Sequence, residues 1–120
     1  KPHSVFERRD NNTFCDVPIT FAQATLGADI EIPTIDGNVM THVKEGTQPF
    51  DTYTIRGKGI PFKNRPGSRG DHTCRFVLEV PTHLNDQQKE QLRHFEATLT
   101  ERNYLKRDGF FKKVKDLFGK

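Results

Sequence analysis

Tryptophan is absent from this chain, methionine occurs once, cysteine twice, and hydrophobic residues make up only 32% of its 120 positions. Adding the 9 glycines brings the apolar share to about 40%, below the roughly 45–50% of soluble globular domains. The chain has room for one domain, or a domain with a tail, around a thin core. No run approaches the ~18 apolar residues of a membrane span. Lys1-Pro2-His3-Ser4 has no apolar stretch behind it, so no secretory signal is expected, and the missing initiator Met suggests a fragment or a processed chain. Charge of one sign is also scarce: 19 Lys and Arg face 16 Asp and Glu, a net +3.

Cys15 and Cys74 form no Cys-x-x-Cys pair, which excludes a zinc ribbon and a thioredoxin-type redox motif. They read as two buried thiols in a reducing compartment, with a disulfide left open if their strands are neighbours. The histidines His3, His42, His72, His83 and His94 show no ligand spacing, so no metal site is expected. Arg56-Gly57-Lys58-Gly59 lacks the length and order of a phosphate-cradling loop, and its glycines read as turn residues. There is no Gly-x-Ser-x-Gly elbow. No catalytic residue, no cofactor and no enzymatic activity are expected.

Charge is unevenly placed. Residues 1–55 hold 4 basic and 8 acidic groups, whereas 56–75 hold 6 basic groups and only Asp71. The last 20 residues are basic again, 7 against 3. With Phe62 among its cations, 56–75 is the best nucleic-acid candidate, alone or with the lysine-rich tail. It reads more simply as a mobile, solvated loop.

From Thr13 to Thr20 the pattern alternates, with Thr13, Cys15, Val17 and Ile19 on one face, as in a half-buried strand. Pro18 suggests an edge or a strand end. Phe21–Leu26 offers one or two helical turns stopped by Gly27. Alternating runs at 29–34 and 39–43 flank Asp36-Gly37, a strong hairpin signal of the type I′ kind. Thr52–Arg56 and Thr73–Val80 read as further strands. From Asn85 to Arg102 there is no Gly or Pro, and Leu92, Phe95 and Leu99 recur at helical spacing. Asn85 and Gln88 form a capping box. A polar break at 103–109 precedes a second helix. On it Phe110, Val114, Leu117 and Phe118, with Phe111 adjacent, form an apolar stripe and lysines take the other face.

That stripe must be covered. A helix of about ten residues is marginal alone in water, and each large apolar side chain contributes roughly 1.5–3 kcal/mol when fully buried. Three destinations are open: the chain's own domain, a second copy by twofold exchange, or an anionic membrane surface.

Five blocks occur in order: Phe21-Ala22-Gln23-Ala24-Thr25-Leu26-Gly27, Ile32-Pro33-Thr34-Ile35-Asp36-Gly37, Glu45-Gly46-Thr47-Gln48, Arg56-Gly57-Lys58-Gly59-Ile60-Pro61 and Arg69-Gly70-Asp71. Val80-Pro81-Thr82, Leu84-Asn85 and Gln88-Lys89 complete them. Together they closely resemble the second C-terminal β-domain of bacterial DnaJ-type J-domain co-chaperones, from about Phe6 to the end. Where the family usually has Gly, this chain has Asp10 and Phe50, and where it usually has Pro, Lys44. The turn after Gln48 is therefore expected to be built differently.

The resemblance implies a mainly β fold: a small two-layered β-sandwich-like domain with one short helix at 1–83, followed by C-terminal helices forming a dimerisation region at 84–120. It implies a cytoplasmic heat-shock and stress-response chaperone that holds unfolded or extended client polypeptides, acts as a homodimer, and works with DnaK in the full-length protein. The J-domain and the zinc repeats are not in this sequence, so no cofactor and no stimulation of DnaK are expected of it. Phe110, Phe111, Val114, Leu117 and Phe118 would carry the dimer contact. By analogy with the related first β-domain, an extended client would lie between the strands holding Phe14, Val17 and Ile19 and those holding Ile30 and Ile32. Membrane binding is not expected, and nucleic-acid binding through 56–75 and the tail is the alternative.

Overall fold

The computed structural model describes residues 5–119, so His3 and the rest of the amino-terminal tetrapeptide lie outside the described residues. The chain divides into two units, Lys1–Pro81 and Thr82–Lys120.

The first unit is built from two sheets. β1 (Glu7–Arg9) and β2 (Asn12–Thr20) pair antiparallel around Asp10, which takes φ 55. β1 is a strand that the sequence pattern does not mark. Its burial pattern is exposed throughout, so no alternation marks it. Thr20 then starts α1 (Phe21–Leu26) with a capping box: its hydroxyl accepts from the Gln23 amide, and the Gln23 side chain accepts from the Thr20 amide, each at 3.0 Å. Gly27 ends the helix at φ 82, where a Cβ would press on the Val43 carbonyl; only glycine suits both demands.

β3 (Ala28–Thr34) and β4 (Gly37–Val43) form a two-stranded antiparallel sheet. The hairpin is where Asp36-Gly37 marks it, but the turn is not type I′. Thr34 pairs with Gly37, so the two loop residues are Ile35 and Asp36, and of this stretch only Gly37 has positive φ, at 114. The Thr34 hydroxyl shapes the turn, accepting from the Asp36 amide and donating to the Gly37 carbonyl.

β5 (Thr52–Ile55) and β6 (His72–Glu79) complete the four-stranded sheet, ordered β1-β2-β6-β5, with β2 and β6 parallel. The inward residues of β2 are Thr13, Cys15, Val17 and Ile19, as the alternation predicts. With Ala24, Cys74 and Phe76 they meet Ile32 and Val43 of the smaller sheet in one core. The fold is mainly β, in two layers.

Two connections differ from expectation. The turn after Gln48 keeps a left-handed position, because Phe50 takes φ 70. Its amide donates to the Phe76 carbonyl, and the Phe76 amide donates to the Asp51 carbonyl, both at 2.8 Å. These two bonds fix the backbone while the aromatic ring stays outside. The segment 56–71 is not a loose loop either. It folds into an arm whose strands exchange Gly59–Gly70, Gly70–Ile60 and Phe62–Ser68 backbone bonds. Asn11 holds its base from the side: its carbonyl accepts from Ile60, and its amide group donates to the Ile60 and Pro61 carbonyls. A Cβ on Gly70 would overlap the Asn11 backbone, so glycine there permits the close approach.

The second unit is helical. Asn85 and Gln88 form the anticipated capping box of α2 (Asp86–Thr98). A short 3-10 turn (Glu101–Asn103) leads into α3 (Leu105–Phe118). α3 begins earlier than the sequence suggests and runs through Gly109. The Asp108 amide bonds to the Tyr104 carbonyl, and the Asp108–Lys112 pair at 3.3 Å spans one turn across the glycine. Such i,i+4 support offsets part of the roughly 1 kcal/mol that glycine costs in a helix. Among the described residues no helix is long and apolar enough to cross a membrane.

Candidate functional site

In the helical unit, α2 and α3 contain no buried residue. Phe110, Leu117 and Phe118 are 60%, 74% and 78% exposed; Phe111 is also exposed and Val114 half-buried. α3 brings all five predicted contact residues to one side, since positions 110, 114, 117 and 118 recur at helical spacing. Phe110 and Phe111 meet edge to face, 5.1 Å between centroids, and the Arg107 guanidinium lies 5.0 Å from the Phe111 ring. Beside this stripe an open cleft of about 700 Å³ runs between the helices, lined by Glu96, Leu99, Glu101, Tyr104, Arg107 and Phe111 among others. The Tyr104 hydroxyl donates to Glu96 at 3.3 Å.

In the β unit the predicted client residues do not come together as a groove. Val17, Ile19 and Ile32 are core side chains, 8%, 2% and 0% exposed. β2 has a strand on each side, and β3 lies in the other sheet. The alternation that suggests an apolar lining is the inward face of each strand, and each inward face is consumed by the opposite layer. Ile30 is half-buried against the core, and Phe14 sits on the outer face, with the Arg9 guanidinium 5.6 Å from its ring. What remains open is backbone: among the described residues β3 and β4 pair only with each other, and Met40 stands exposed on their outer face.

That outer face of the larger sheet carries a feature sequence reasoning missed. Arg75 donates from Nε and Nη2 to both oxygens of Asp16 at 3.0 Å, which holds the Asp16 carboxyl below the usual range. The pair is cross-strand in register, a signal unreadable before β2 and β6 are known to be neighbours. Arg75 also lies 5.3 Å from the Phe50 ring.

The polar interior is quiet. His72 is fully buried; Nδ1 lies 2.7 Å from the Thr13 hydroxyl and Nε2 3.4 Å from Cys15 Sγ. Burial lowers its pKa below the ordinary 6.5, partly offset by the Pro33 carbonyl. Cys15 and Cys74 stand directly opposite across β2 and β6 as free thiols. Burial pushes Cys15 up to about 11, with Cys74 and Asp16 adding to it. No group of His, Cys, Asp or Glu among the described residues could hold a metal ion.

A mainly β fold with C-terminal helices is the fold class that the resemblance implies, and comparison with known proteins identifies the family. Residues 1–81 match the DnaJ C terminal domain family and residues 87–120 the Chaperone protein DnaJ C-terminal region. The chain belongs to the DnaJ family, as a C-terminal portion. The Chaperone protein DnaJ of Ruminiclostridium cellulolyticum is 48% identical over 118 residues, covering 98% of this chain and 31% of that protein. That of Acetivibrio thermocellus is 46% identical, covering 99% and 31%; that of Halothermothrix orenii is 44% identical, covering 99% and 32%. The chain therefore spans about a third of the length of these relatives.

Proposed function

We propose that this chain is the dimerisation and polypeptide-holding part of a cytoplasmic DnaJ-type co-chaperone that works with DnaK, carrying no catalytic chemistry of its own. The observation that carries the dimer is the absence of any buried residue in α2 and α3, although five large apolar side chains share one side of α3. Covering such a stripe contributes several kcal/mol, on the order of 1.5–3 per fully buried side chain. Phe110, Phe111, Val114, Leu117 and Phe118 form the contact with a second copy. In this dimer the partner's ring side chains enter the cleft between α2 and α3, and its lysines meet Glu96 and Glu101, which line that cleft.

Extended clients add as a strand to an open edge of the β3–β4 pair, where main-chain groups are unpaired with another strand and Ile30 and Met40 supply apolar contact. Strand addition needs an edge and alternate side-chain contacts, not a vacant core. Two adjacent buried thiols that remain free fit a reducing, cytoplasmic setting.

Sedimentation equilibrium of the 120-residue chain and of a chain ending at Tyr104 tests the reading. The full chain is expected to sediment as a dimer and the shortened one as a monomer. A monomer in both, or a dimer in both, defeats it.

A further inference from the structure

The arm at 56–71 combines two properties that the holding role leaves unexplained: it is rigidly built, and its outer side is basic. Arg69 is structural. It donates from Nε and Nη2 to the Gly59 carbonyl at 3.0 and 2.7 Å and from Nη1 to Asp36 in the β3–β4 turn. Asp71 is structural too, accepting from the Gly57 amide at 3.0 Å. Lys58 lies near Asp36 and helps to hold that carboxyl low.

The remaining cations are unspent. Arg56 reaches Asp71 only at 3.9 Å and its side chain is 89% exposed. Lys63 and Arg65 stand exposed at the tip, and among the described residues no carboxylate lies within ion-pair distance of either. Arg65 is stacked on Phe62, 4.4 Å from the ring centroid, which limits its excursions. A side chain held in this way loses little conformational entropy when it meets a ligand.

We infer that the arm is a binding site for short acidic segments of polypeptide, with Arg56, Lys63 and Arg65 as its charged contacts. The ligand is a peptide and not a nucleic acid for two reasons. The one aromatic ring of the arm, Phe62, is half-buried and already carries Arg65 on one face, which makes it a poor platform for stacking bases. The rest of the β unit is acidic: residues 1–55 hold twice as many acidic as basic groups, so a long polyanion passing the arm meets repulsion that a short segment avoids. The inference deepens the holding role by giving clients a preference for acidic residues. It shares no residue with α3 and stands whatever the oligomeric state.

The test is fluorescence anisotropy of the whole chain with a labelled 12-residue peptide carrying alternating Glu and Leu, at about 50 mM salt, where exposed charges are least screened. Lys63→Glu/Arg65→Glu is expected to weaken binding about tenfold, since both contacts turn repulsive, while Lys63→Arg/Arg65→Lys retains it. Both side chains are exposed, so the variants are expected to melt like the parent. Equal affinity for the charge-reversed variant overturns the site, as does tighter binding of an oligothymidylate of matched charge. Suppression of aggregation of an uncharged client measures holding separately. If that activity persists while the acidic peptide fails to bind, the arm is refuted and the holding role is not.

Discussion

The two units of this chain solve the problem of apolar surface in opposite ways. In Lys1–Pro81 each inward strand face is closed by the other sheet, so Ile32, Val43 and Cys74 are fully covered within one chain. In Thr82–Lys120 two helices of 13 and 14 residues hold their rings outward, with none buried. A domain that completes its own core needs no partner for stability. Helices of that length are marginal without tertiary packing. The difference separates a closed core from an uncovered apolar surface, and it makes the same kind of substitution mean different things in the two places.

The sharpest way to break the comparison is to shorten one apolar side chain in each unit. Ile32→Ala is expected to cost the β unit about 2–5 kcal/mol, the range for large-to-small changes in a packed core, measured by urea unfolding. Leu117→Ala is expected to change β-unit stability by less than about 0.5 kcal/mol, while weakening the proposed dimer about tenfold in sedimentation. Equal destabilisation by the two would erase the distinction.

Acid sharpens it next. His72 is buried and its pKa is lowered, so below about pH 6.5 the unfolded chain takes up a proton that the folded β unit refuses. The stability tied to His72 is complete above that pH and is lost as pH falls from it through the folded value. The urea midpoint of the β unit is expected to drop between pH 7 and 5, and the His72 ring is expected to titrate below 6.5 by NMR. A midpoint that rises on acidification contradicts the assignment.

The smallest effect concerns Phe50. Left-handed backbone costs an L-residue roughly 1–2 kcal/mol, which glycine avoids at some entropic cost in the unfolded chain. Phe50→Gly is expected to stabilise the β unit by about 0.5–1 kcal/mol, even though the Arg75 contact is lost. Calorimetry decides it; a large destabilisation would mean the ring is structural.

Most of the β architecture was legible because alternation is a direct image of burial: Thr13, Cys15, Val17 and Ile19 point inward as their spacing requires. The cap of α2 was legible because Asn85 and Gln88 act within four residues; the same kind of box at Thr20 and Gln23, which opens α1, went unread. What depended on distant partners was not. The parallel pairing of β2 and β6 sets Asp16 beside Arg75 across 59 positions. The order of the basic arm is imposed by Asn11, some 50 residues away. The supposed client lining failed for the same reason, since alternation marks an apolar face without saying whether ligand or a second sheet covers it. Phe50 shows the converse: the backbone bonds that Phe50 and Asp51 each make to Phe76 preserve a turn in a residue type that disfavours it.

The register-paired, free thiols of Cys15 and Cys74 give the β unit a built-in chemical clock. Both thiols are buried, burial pushes the Cys15 pKa up to about 11, and reagents attack the ionised, accessible form. Alkylation must therefore wait for the sheet to breathe. Its rate under native conditions counts excursions of the β2–β6 seam, whatever the helices at the other end of the chain are doing.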